Sequence, residues 1–214
     1  MRASLAAAMA LSLIGAGAGP AGGQEAQTVE AGSPLVLAAG GTLKLEGTST
    51  LHPWSSSTKE LRGRFRLKAG ATPGDPAALL RSGAVESFEL RLPVRSLRSG
   101  EGGLDDNLYK ALRAEQNADV VFQTSAYQVT PTSAGAFKAT LRGALKIAGV
   151  AREVAVDVEA QPTAHGLRVT GSKVLSMEDY DVKPPVLLFG MIKTGDAVSV
   201  RFDVEVVAAA GPHG

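Results

Sequence analysis

Two short patterns in the chain have the form of acyl-transfer machinery. Ser56-Ser57-Thr58-Lys59 carries the Ser-x-x-Lys spacing of serine acylases, and Lys193-Thr194-Gly195 matches their Lys-Thr-Gly element. That chemistry needs the serine at a helix start with the lysine one turn later, where the amine can take its proton. Lys59 instead leads directly into an alternating, strand-like run, and no Ser-Asp-Asn element accompanies the pair. Both matches therefore read as chance. The three histidines, His52, His165 and His213, share no metal-ligand spacing, and the chain has no Cys. Thiolate metal sites, Cys nucleophiles and disulfides are thereby excluded. His52, within Leu51-His52-Pro53-Trp54, lacks the nucleophile elbow of a Ser-His-acid relay. It reads as a polar group at a strand end or as a contact to a ligand head group. No catalytic residue, metal or cofactor is expected.

The elements that must carry these residues are strands. From Thr42 onward apolar and polar residues alternate with period two, the mark of strands with one wet face. Leu61, Gly63, Phe65 and Leu67 alternate with Arg62, Arg64 and Arg66. Phe88, Leu90, Leu92 and Val94 form the next set, and Val120 with Phe122 a shorter one. Phe137, Ala139, Leu141, Gly143, Leu145 and Ile147 follow, then Val154, Val156 and Val158, then Leu167 and Val169. Val198, Val200, Phe202, Val204 and Val206 end the series against Ser199, Arg201, Asp203 and Glu205. Counting residues 42–54 as one kinked strand gives eight. One helix is expected after Asp105-Asp106, with Leu104, Leu108 and Leu112 at helical spacing. Asp75-Pro76 can start one further turn, with Pro at the first helical position.

Composition narrows the partners. There are 22 Lys+Arg against 21 Asp+Glu, so no long-range field attracts nucleic acid or anionic lipid. Arg2, the Ala-rich apolar run to Ile14 and the small residues that follow have the form of a secretory signal over residues 1–23. That run is too short to span a bilayer, and no other stretch could. The expected organisation is a signal peptide (1–23), a leader with little structure (24–40), one β domain (41–208) and a disordered tail (209–214). The expected location is exported, periplasmic or secreted.

Amphipathic strands with so few helices must close on themselves, as a barrel or a sandwich. An eight-stranded antiparallel barrel is wide enough to be filled by side chains or to hold one small ligand. Small residues at inward parity (Gly63, Ala69, Ala139, Gly143, Ala160, Gly171) would leave an interior volume, or mark bends and bulges. If a cavity exists, Phe65, Phe88, Leu90, Leu92, Phe122, Phe137, Leu141 and Phe202 line it. Leu51, Trp54, Leu108, Leu112 and Met177 lie near its ends.

Several blocks, in order, resemble the YceI-like, polyisoprenoid-binding family of exported bacterial proteins. They are Gly47-Thr48-Ser49-Thr50-Leu51-His52-Pro53-Trp54-Ser55, the run from Leu92 through Pro93-Val94-Arg95 to Gly100, residues 105–112, and Asp119-Val120-Val121-Phe122. The hairpin of residues 143–154, Asp179-Tyr180-Asp181 leading to Pro184-Pro185, and Lys193-Thr194-Gly195-Asp196 complete the set. The resemblance implies an all-β, eight-stranded antiparallel lipocalin-like β-barrel with one short helix in a long connection. It implies a non-catalytic role, with an isoprenoid, quinone, fatty-acid derivative or other amphiphile held inside. A solidly packed stress-response or interaction module and an exported hydrolase using His52 are the alternatives. The sequence leaves room for a homodimer.

Overall fold

The computed structural model describes residues 33–132, 135–187 and 191–210. The expected signal peptide and the last four residues of the expected tail lie outside these. Among the described residues eleven strands form: β1 (Leu35–Leu37), β2 (Thr42–Ser49), β3 (Trp54–Thr58), β4 (Arg62–Leu67), β5 (Val85–Pro93), β6 (Asp119–Pro131), β7 (Phe137–Ile147), β8 (Val150–Pro162), β9 (Gly166–Ser176), β10 (Val186–Leu187) and β11 (Ile192–Ala208). Two α-helices among the described residues join them, α1 (Pro76–Arg81) and α2 (Gly102–Ala111). The sheet runs β3-β2-β11-β9-β8-β7-β6-β5-β4, with β1 and β10 both added to β11. Every pairing is antiparallel.

Alternation along these strands puts one face inward and curls the sheet into a lipocalin-like half-barrel, the all-β antiparallel class that was expected. The strand count is a correction, eleven in place of eight. Residues 42–54 are not one kinked strand, because the chain reverses and β3 pairs back on β2, Leu45 facing Ser56. β3 reads Trp-Ser-Ser-Ser-Thr, too polar to signal a strand. The expected leader is also structured from Ser33 onward. Leu35 is wholly buried and β1 pairs with the end of β11. At the other terminus Ala209 donates its N–H to Pro34 O at 3.0 Å, so the tail is held at its first residue.

No ladder joins the edge strands β3 and β4. The seam is closed by side pieces instead. β1 packs beside β4, and the Ser33 hydroxyl lies 3.0 Å from Phe65 N, whose N–H it accepts. Ser57 exchanges two backbone bonds with Arg98, at 2.8 and 2.9 Å. The β7–β8 hairpin turns on two residues, Ala148 and Gly149, both at positive φ (49° and 90°), as a right-twisted hairpin of this length demands.

The helices stopper the two ends. The Asp75 carboxylate caps α1 by accepting from Ala77 N and Ala78 N, with Pro76 opening the helix, as expected. Ala77 and Leu79 of α1 are buried against the Phe65, Phe88 and Phe137 end. The start of α2 corrects the sequence reading. Glu101, not Asp105, is the capping residue, and it makes no side-chain cap. Asp105 lies in the first turn and is buried. Its carboxylate accepts from Ser99 N (2.8 Å) and Ser99 Oγ (2.7 Å), fixing the loop that leads in. Tyr109 then ties α2 to the 95–98 segment, donating to Leu97 O at 2.6 Å. Asp105→Ala should leave the half-buried Ser99 N–H without its acceptor, Ser99 Oγ keeping only Glu101 O, and lower stability by about 1–3 kcal/mol in denaturant unfolding. A loss below about 0.5 kcal/mol would mean that Asp105 does not anchor the helix.

Candidate ligand cavity

Between the two stoppers lies a cavity of about 320 Å³. This falls in the size range of small-molecule sites. Its wall is mostly aliphatic and aromatic, and it contains twelve of the thirteen residues expected there. Trp54, Phe65, Phe88, Leu90, Leu92, Leu108, Leu112, Phe122, Phe137, Leu141, Met177 and Phe202 all contribute. Leu43, Leu45, Val156, Val198 and Val200 also belong to it, on the inward parity of their strands. Phe65, Phe88 and Phe122 form a contiguous aromatic run, with ring centroids 5.6 and 6.1 Å apart.

Two expectations fail. Leu51 is 65% exposed and is not part of the wall. His52 is exposed as well, with its Nδ1 2.9 Å from the carbonyl oxygen of the next residue, Pro53, so it does not reach the interior. The cause is local. Ser49 Oγ donates to His52 O and accepts from Leu51 N and His52 N, which curls residues 49–53 outward. Thr50 pins this loop to Met191 and Lys193. The Ser-x-x-Lys pattern also dissolves, because Ser56 is inside on a strand and Lys59 is exposed in the link that follows.

The glycines do not supply the cavity. A Cβ at Gly143 would sit 2.1 Å from Gln123 O, and one at Gly171 2.5 Å from the Phe202 ring. At Gly63 it would meet Leu37 and Phe65 at 2.9 and 3.1 Å. These are places of close approach, filled by neighbours. Ala69 lies exposed in a turn, whereas Ala139 and Ala160 do line the wall. Gly47 has a different use. Its missing Cβ leaves room for the Trp54 ring, which would otherwise be met at 2.4 Å. The indole thus lies flat across its cross-strand partner and becomes cavity wall.

Polar groups in the wall are few. The Tyr127 hydroxyl donates to Val85 O at 3.1 Å, and burial pushes its pKa up, so it stays a neutral donor. Burial likewise raises Tyr180, with the nearby Asp179 adding to the effect. Two charged residues contribute, Arg91 and Lys173. Arg91 is compensated by Glu89 at 2.7 Å and Asp119 at 3.6 Å, and the Glu89 hydrogen bond holds its pKa above the usual value. Lys173 has no ion pair or hydrogen bond with any described residue. Two wall residues each carry a buried polar atom without a partner, Trp54 Nε1 and Ser56 Oγ.

The wall is not laddered all the way round. β8 and β9 pair only from Val158–Gly171 to Pro162–Leu167, so residues 150–157 and 172–176 run unpaired with each other. The turn Glu178–Tyr180 lies over this split, and Arg152 Nε donates to Asp179 O at 2.7 Å across it.

An antiparallel half-barrel, stoppered by helices and hollow with an apolar interior, defines the lipocalin-like class of β-barrels. Within that class the chain belongs to the family of the YceI-like domain, whose model matches residues 40–206. Solved structures that share the fold include the following three. A polyisoprenoid binding domain from Saccharophagus degradans, implicated in plant cell wall breakdown, is 12% identical with a TM-score of 0.60, over 83% of this chain and 99% of that one. BcnA of Burkholderia cenocepacia is 16% identical with a TM-score of 0.56, over 78% and 96%. The YCEI protein of Campylobacter jejuni is 16% identical with a TM-score of 0.54, over 73% and 85%. No curated protein matches the sequence.

Proposed function

We propose that the protein is an exported, non-catalytic carrier or reservoir that holds the tail of a long-chain amphiphile inside its barrel. An isoprenoid, quinone or fatty-acid derivative is the ligand class. The observation that carries this reading is the apolar interior of about 320 Å³. A solidly packed module would have no such volume, because protein interiors close-pack. Membership of the YceI-like family supports a lipid-binding role in general, and one structural relative is described as a polyisoprenoid binding domain. Each buried methylene contributes about 0.8 kcal/mol, so a tail of modest length gives useful affinity without polar contacts. Export rests on the secretory form of residues 1–23.

The test is solvent extraction of the purified protein followed by mass spectrometry, with titration of the delipidated protein by farnesol. Trp54 is the sole tryptophan and lies in the cavity wall, so its emission should shift as the tail enters. Co-purified lipid, or a saturable shift, is the expected result. Neither lipid nor uptake would remove the carrier reading.

A further inference from the structure

Lys173 breaks the pattern of its strand. Leu167, Val169, Gly171 and Leu175 share its parity, and the strand places it in the cavity wall beside the β8–β9 split. Ordinarily a lysine on the inner face of an apolar barrel is paired, since an isolated ammonium in such surroundings is poorly solvated. No described residue pairs it. Its register identifies the neighbours that matter. Lys173 faces Val200 of β11, Val200 faces Leu45 of β2, and Leu45 faces Ser56 of β3. Lys173 and Ser56 therefore stand on one cross-strand row, three strands apart, about 14 Å along the curved sheet at the usual spacing. Trp54 is two residues from Ser56 on the same inward parity.

The three side chains share one chemical character. Lys offers three donors and no acceptor, the indole one donor, and the serine hydroxyl one donor that turns freely about its bond. Ser56 is 2% exposed and its hydroxyl has no partner. On the same strand the next inward side chain, Thr58, is satisfied by Ser96 Oγ at 2.8 Å and by Glu60 N. Buried polar groups are nearly always paired, so unpartnered donors in one wall, level with an uncompensated cation, point to an acceptor that comes from outside the chain.

We propose that Lys173, Ser56 and Trp54 form the head-group subsite of the cavity, and that it takes an anionic, acceptor-only group, a carboxylate or phosphate, on a single apolar tail. The assignment rests on the reading of the cavity as a lipid site. The tail lies along the Phe-rich end, and the head sits level with Lys173 at the split. Neutral chains enter the same cavity but forgo the charge-assisted bond.

The experiment compares oleic acid, oleyl phosphate and oleyl alcohol on the delipidated full chain at pH 8, by equilibrium dialysis. The wild type should prefer at least one of the two anionic probes to the alcohol by tenfold or more, and which one it prefers separates carboxylate from phosphate. Lys173→Met should erase that preference by weakening the anion while leaving the alcohol unchanged. Lys173→Arg should keep it. Ser56→Ala should weaken the anion several-fold and leave the ligand-free protein at least as heat-stable as before. If Lys173→Met does not fold by circular dichroism, the wild-type preference together with Lys173→Arg and Ser56→Ala decides. Equal affinity for acid, phosphate and alcohol in the wild type, or a preference that survives Lys173→Met, overturns the head-group assignment and leaves the carrier reading standing. Failure of all three probes to bind overturns the carrier reading itself.

Discussion

Gly143→Ala should lower the melting temperature by about 6–12 °C, a large effect for one methyl group. The added Cβ would lie 2.1 Å from Gln123 O and 2.9 Å from Thr124 Cα. Both are backbone atoms of the neighbouring strand, so no rotamer change relieves the contact. The register between β6 and β7 slips here, between Thr124 and Ala126, and β6 must shift outward to make room. That movement would disturb Thr124, whose side chain is buried with its hydroxyl unpartnered. Overpacking typically costs about 1–3 kcal/mol. A backbone clash belongs at the upper end, and at about 2–4 °C per kcal/mol for a chain of this size the shift follows. The matched control is Gly103→Ala in α2, where a Cβ meets nothing within 4 Å. The same change there should be neutral or stabilise by up to about 1 kcal/mol, because alanine favours the helix. Thermal unfolding of the two variants side by side checks this. Equal melting temperatures would mean that β6 and β7 are not packed as described.

The same glycine marks the limit of what the sequence could say. Period-two alternation was enough to put Phe65, Phe88, Phe122, Phe137 and Phe202 on one face, and the structure gathers all five around one cavity. Parity is a local property, and it survives any way of closing the sheet. Empty volume is not local. Whether the space beside Gly143 or Gly171 is hollow depends on how closely the next strand approaches, and bulges and coiling set that distance. Reading those glycines as missing volume therefore failed, although Ala139 and Ala160 do face the interior. β3 was missed because three serines and a threonine carry no hydrophobic signal, and its pairing comes from the chain reversal at residues 50–53. The row proposed for the head group was legible only in part. Lys173 stands out as the one charged residue among Leu167, Val169, Gly171 and Leu175 at inward parity. Its relation to Ser56 needs the registers of β2, β9 and β11, which no single strand encodes. Leu51 and His52 neighbour Trp54 along the chain, but the turn held by Ser49 Oγ carries them out of the cavity wall that Trp54 joins.

Val200→Trp should reduce uptake of a long-chain ligand by about fifty-fold while leaving the barrel folded. Val200 lies in the wall on the row that joins Leu45 to Lys173, and it is only partly buried in packed protein because it faces the cavity. An indole there extends into the void. Displacing about three methylenes of the tail forfeits about 2.4 kcal/mol, which corresponds to roughly fifty-fold in affinity. Val200→Ala is the complementary change, since it enlarges the cavity and should not block uptake. Equilibrium dialysis with labelled oleic acid and oleyl alcohol is the measurement, with circular dichroism confirming that both variants fold. Because the block acts on the tail, acid and alcohol should weaken together, unlike the selective loss expected for Lys173→Met. A folded Val200→Trp protein with undiminished uptake would place the ligand outside the barrel, and the apolar interior would then be a packing defect with no tail to hold.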